Sequence, residues 1–238
     1  MEKTALIVAH GQPSDPGQAE ADLARLADGV ALHLPGWRVG SATLAAPGAV
    51  EAAVARLGAP VVFPFFMADG WFTQQELPRR LGNPALTILP PFGRMAAAAT
   101  LAGQAARTAV IGRGWTVDDA VVVLAAHGSG RSRAPAEAAR AVQTALAGLG
   151  FSEVRLGFIE EAPSLQEVAA GAGERAVCLP LFVARWGHVV TDIPAALAAA
   201  GFRGPCLAPL GTRPEVAGII AGALNDKLGE MPPPPTRA

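Results

Sequence analysis

The chain has 238 residues, a formal net charge of −1, 51% hydrophobic residues and only 16% charged ones. That balance excludes an intrinsically disordered chain and gives no global reason to expect nucleic acid or an anionic membrane as a partner. The length suits one large domain or two of roughly 100–150 residues each, and no apolar run approaches the ~20 residues that span a bilayer.

The first apolar run, residues 5–9 after Lys3, is too short for a signal-peptide core, so a cytoplasmic protein is expected. It reads as the end of a first strand over 4–9, stopping at His10. The loop GQPSDPG then leads into a helix with Leu23, Leu26, Val30 and Leu34 three and four residues apart, halted by Pro35-Gly36. His33 falls in its last turn, as a surface residue at the negative end of the helix dipole. A strand within 37–44, a helix from Pro47 to Leu57, a strand over 59–66, a helix over 76–81 and a fourth strand over 85–89 follow. An alanine-rich helix over 93–110 closes this half, and GRGWTVDD reads as a linker.

The plan then repeats. Ala-His-Gly at 9–11 recurs at 126–128, an offset of 117; Ala-Pro at 46–47 recurs at 162–163, an offset of 116. FPFF at 63–66 recurs as LPLF 116 residues on, and LPPFG at 89–93 recurs as LAPLG 118 residues on. Ordered signals at a nearly constant offset mark a tandem duplication of a β-α-β-α-β-α-β-α unit. Each unit is expected to form a parallel four-stranded sheet with helices on both faces. The halves are placed at 1–115 and 116–230, with 231–238 as a disordered tail. Cys178 and Cys206 lie in different strand-like segments of the second half, without C-x-x-C spacing, and read as buried free thiols.

A duplication makes one half the control for the other. After the uncharged run VVVLAA, the second half places His127 at a strand end, where open α/β sheets bind ligands. After its second strand it carries Glu160 and Glu161 in FIEEAPSL, where the first half has SATLAAPGAV with no acid. After its third strand it carries His188, which falls opposite Phe72 at offset 116. Neighbouring strand-end loops open onto one crevice, so His127, Glu160 and His188 can converge. Two imidazoles and a carboxylate are a common ligand set for divalent transition metals. The first half keeps His10 alone.

AHGS at 126–129, FIEEAPSL at 158–165 and LPLFVARWGHVVTDIP at 179–194 resemble the class II tetrapyrrole chelatases, specifically the sirohydrochlorin chelatases. Weakened versions, AHGQ and FPFFMADGWFTQQELP, stand in the first half, so the resemblance covers nearly the whole chain. It implies two flavodoxin-like halves facing each other across a cleft, and a lyase that inserts Co(II), Fe(II) or Ni(II) into sirohydrochlorin, in cobalamin or sirohaem biosynthesis. Co(II) is favoured. The metal is a substrate, and no cofactor is permanently bound. The family's paired histidines map onto His127 and His188, its acid onto Glu160, and its first-half histidine onto His10. Phe72 in place of a second first-half histidine is a departure that puts a metal site there in doubt.

A macrocycle bearing several carboxylates needs cations or N–H donors. Arg131 and Arg133 follow His127, Arg185 precedes His188, and arginine suits planar carboxylates. Ser129 and the backbone amides of 128–130, at an expected helix start, offer an anion nest. Trp71 and Phe72 offer an apolar floor for a flat ring. The partner is thus sirohydrochlorin or a related tetrapyrrole, and a monomer is expected because the two halves supply the cleft. A degenerate tetrapyrrole- or metal-binding protein is the alternative. A Ser129 hydrolase is disfavoured because GSGRS does not make G-x-S-x-G.

Overall fold

The computed structural model describes residues 3–230, so the expected tail at 231–238 lies outside the described residues. The first half runs β1 (Lys3–Ala9), α1 (Pro16–Leu32), β2 (Trp37–Thr43), α2 (Ala49–Leu57), β3 (Val61–Pro64), a π-helical turn (Phe72–Glu76), α3 (Leu77–Leu81) and α4 (Ala96–Ile111). The second runs β4 (Val121–Ala126), α5 (Ala134–Ala147), β5 (Glu153–Phe158), α6 (Leu165–Ala169), β6 (Ala176–Pro180), α7 (Gly187–Val190), α8 (Asp192–Ala199) and α9 (Val216–Glu230). Each half contains one parallel sheet, ordered β2-β1-β3 and β5-β4-β6, so the repeat holds strand for strand.

The sheets have three strands where four were expected. The fourth segments do lie beside β3 and β6, but each makes a single bridge, Val62 to Ile88 and Cys178 to Cys206. Proline supplies no ladder donor, and Pro84, Pro90 and Pro91 bracket the first segment as Pro205 and Pro209 bracket the second. The edge position also corrects the reading of the thiols. Cys178 is buried, whereas Cys206 is exposed, and Cys178 and Arg185 together lower its thiol from the ordinary value.

Strand period two divides the core into faces. Ala5, Ile7 and Ala9 of β1 join Val122, Leu124 and Ala126 of β4 in one core that runs through both halves. Leu6 and Val8 face α2 and α3 in a first outer core, and Val123 and Ala125 face α6 and α8 in a second. The shared core is closed by exchanged helices. α4 packs on α5 and β6 of the second half, and α9 packs on α1 and β3 of the first. Close approach explains two glycines of the repeat: a Cβ at Gly93 would lie 2.0 Å from Met67 O, and one at Gly211 2.3 Å from Val183 O. These contacts seat the loops that follow β3 and β6. No helix among the described residues is long and apolar enough to cross a membrane.

Candidate metal centre

β4 is buried along most of its length and delivers His127 at its carboxyl end. The amides of Ile159 and Glu160 both donate to the His127 carbonyl, at 3.2 and 2.9 Å, which pins the end of β5 beside it. Gly128 then turns left-handed, φ +73°, and its carbonyl comes back within 2.8 Å of His127 Nδ1. A carbonyl only accepts, so Nδ1 carries the proton and Nε2 presents a bare lone pair. A side chain at 128 is doubly excluded. Its Cβ would stand 2.8 Å from the Glu161 Cγ and Oε1 atoms and 3.0 Å from Phe158 Cβ.

His188 sits on the short helix α7, and its Nδ1 meets Asp192 Oδ2 at 2.5 Å. That carboxylate fixes the proton on Nδ1, so this imidazole too presents a bare Nε2. The two Nε2 atoms are 3.1 Å apart, with the rings nearly perpendicular at 87°. Two lone pairs so close repel unless a proton or a cation lies between them. Two nitrogens bound tetrahedrally to one ion at ~2.0–2.1 Å would stand roughly 3.3 Å apart, close to the separation found. Glu160 Oε2 lies 3.6 Å from His127 Nδ1. One ligand atom from each of His127, Glu160 and His188 falls within 4.8 Å of the others. Their side chains are 42%, 48% and 38% exposed, so the centre opens to solvent and to a large substrate.

The first half repeats the scaffold without the ligands. Gly11 at φ +80° turns its carbonyl to His10 Nδ1 at 2.9 Å, but the ring facing His10 is Phe72, with centroids 4.3 Å apart. Phe72 in turn meets Trp71 at 5.1 Å and Phe66 at 6.5 Å. Trp71 and Phe72 are 54% and 38% exposed, and they form an aromatic surface where the second half has the His127–His188 pair.

Arg131 and Arg133 lie exposed on the loop between β4 and α5. Arg185 is exposed on the loop before His188 and lines a cavity of about 540 Å³ between the halves, with Asp22, Arg25, Phe65, Trp186 and Arg213. The buried Nε of Arg213 has no hydrogen-bond partner among the described residues. The anion nest is not free. The Ser129 amide donates to Glu161 Oε1 at 3.2 Å, Ser129 Oγ accepts from the amides of Arg131 and Ser132, and the helix starts only at Ala134. Two residues enter the site beyond those singled out in the sequence, Asp192 through His188 and Gln12 through the Gly187 amide. Asp192 was readable as an acid four residues after His188 on a helical pattern; Gln12 carried no local signal. Glu161, noted in the sequence beside Glu160, turns to the Ser129 amide.

Two imidazoles paired at the strand ends of the second of two parallel-sheet units are the arrangement that the resemblance to the class II tetrapyrrole chelatases implies. Residues 121–227 match the CbiX family model. The structure of CbiX, described as the terminal enzyme for biosynthesis of siroheme in denitrifying bacteria, is 44% identical, covers 94% of this chain and 99% of its own, and superposes with a TM-score of 0.88. The chain belongs to the CbiX family of sirohydrochlorin chelatases. SirB from Bacillus subtilis, solved with Fe3+, shares the fold at 17% identity over 95% of each chain, TM-score 0.76. DR2241 from Deinococcus radiodurans, described as multi-domain with structural similarity to chelatases, shares it at 22% identity over 94% of this chain and 55% of its own, TM-score 0.71. No curated protein matches the chain by sequence.

Proposed function

We propose that this chain inserts a divalent first-row metal into sirohydrochlorin through His127, His188 and Glu160, acting as a cytoplasmic monomer whose two halves supply the cleft. The observation that carries the reading is the 3.1 Å approach of the His127 and His188 Nε2 atoms beside the Glu160 carboxylate. Co(II) is the ion first expected, and the sirohaem role of the 44% identical relative supports Fe(II) beside it.

The ion enters as a substrate, exchanges water for the two imidazoles, and is held over the macrocycle face with Glu160 completing the set. Insertion releases two pyrrole protons for each ion taken up. The imidazole that lets the ion go regains a free Nε2 lone pair, which accepts one proton; Glu160 carries the other toward solvent. Asp192 stabilises the imidazolium so formed. Arg185 and the inter-half cavity receive ring carboxylates, with Arg131, Arg133 and Ser129 at the rim, while Trp71 and Phe72 offer a face for the ring.

Anaerobic chelation of sirohydrochlorin with Co(II), Fe(II) and Ni(II) tests this on wild type, His127→Ala, His188→Ala and His10→Ala. Loss of insertion in the first two variants with activity retained in the third is expected. The reverse pattern would move the chemistry to the first half, and a spectral shift on mixing without insertion would mark a binding protein.

A further inference from the structure

Two hydrogen bonds cross from the first half to the residues immediately before His188. Gln12 Oε1 accepts from the Gly187 amide at 3.3 Å, and Trp186 Nε1–H donates to Asp22 Oδ2 at 3.0 Å. Both donors belong to the second half, and both acceptors to the half that lacks a metal pair.

Each acceptor is itself held. Gln12 Nε2 donates to Ser14 Oγ at 2.9 Å, which fixes the amide with its oxygen toward Gly187. Asp22 Oδ1 accepts from Gln18 Nε2 at 2.7 Å and pairs with Arg25, leaving Oδ2 for Trp186. Gln12 occupies the place after His-Gly that Ser129 occupies in the second copy. The serine hydroxyl is spent on amides of its own loop, whereas the longer glutamine reaches across the cleft. The clamped segment needs such support. α7 spans only four residues, and so short a helix does not repay its own nucleation.

We infer that Gln12, seconded by Asp22, is a positioning residue of the metal centre, so that the first half sets the metal affinity of the second. The inference rests on the assignment of His127 and His188 as metal ligands. Partners bonded directly to a ligating imidazole, as Asp192 is to His188, are worth ~10–100-fold in metal affinity; Gln12 acts one residue further out, through the Gly187 amide, so its effect falls at the low end of that range.

Co(II) alone, titrated into the full chain in competition with a chromophoric chelator, gives the readout, with the visible Co(II) spectrum reporting geometry. Gln12→Ala and Trp186→Phe should each weaken binding about tenfold and shift the spectrum. Gln12→Glu, which keeps an acceptor oxygen at the same reach, should restore both. Wild-type affinity and spectrum in Gln12→Ala and Trp186→Phe, or no recovery in Gln12→Glu, would overturn the inference while leaving the ligand assignment intact. Unaltered Co(II) binding in His188→Ala would overturn the assignment and the inference together.

Discussion

Phe72 meets the His10 imidazole edge to face with ring centroids 4.3 Å apart, in the position where His188 meets His127 at 4.6 Å. One substitution therefore separates the halves at this place, and the supporting acid has a counterpart. Glu76 lies four residues after Phe72 as Asp192 lies four after His188, although Glu76 is engaged by Arg79. Phe72→His should raise Co(II) stoichiometry from one toward two per chain by calorimetric titration. The second equivalent should be the weaker, since no acid matches Glu160 there. A stoichiometry fixed at one would show that the His10 scaffold no longer holds a metal pair.

Asp192 touches His188 and not the proposed ion site itself, so on the proposed assignment it acts through that imidazole. Asp192→Asn keeps the shape but removes the charge that makes the imidazole a better donor. Equilibrium Co(II) binding should weaken ~10-fold or more. A change of less than twofold would mean that the 2.5 Å contact does not orient the ligand.

Gly128 combines a left-handed backbone with no room for a Cβ. The backbone strain alone is worth about 1–2 kcal/mol, and the clash with Phe158 adds to it because a Cβ there has no rotamer to escape into. Gly128→Ala should lower the thermal midpoint by several degrees and weaken metal binding. Gly130→Ala, at a position where a Cβ meets nothing within 4 Å, should stay within about 0.5 kcal/mol of wild type. Equal midpoints for the two variants would refute the steric account.

In the proposed function Arg185 holds a carboxylate of the ring in ground and transition states alike. On that proposal Arg185→Gln should raise the KM for sirohydrochlorin several-fold with little change in kcat. A fall in kcat at constant KM would place the arginine in the chemical step instead.

Much of this architecture could be read from residue patterns. Uncharged β-branched runs located β1 and β4, and the constant offset located Phe72 opposite His188 before any distance was known. The fourth segments read as strands because their apolar runs are real, yet in the fold each, flanked by prolines, makes a single bridge at the sheet edge. Convergence of His127, Glu160 and His188 followed from strand-end topology. The Gln12–Gly187 bond joins residues 175 apart in sequence, and no periodicity reports such a pair. The helix exchange was equally silent. The apolar face of α4 states that it is buried, not which sheet it covers.

That exchange has a consequence for how such a molecule can be built at all. Cut between α4 and β4, residues 3–111 would retain a helix suited to another sheet and leave their own sheet uncovered on the side where α9 now lies. The smallest unit able to close its core is therefore a pair of halves, each lending its last helix to the other. Two separate identical copies are bound by symmetry to change together, so every loss of a ligand is suffered twice. Joined in one chain, they are released from that bond. One copy can then keep histidine at the cleft while the other takes phenylalanine, and the molecule becomes asymmetric without losing a single strand.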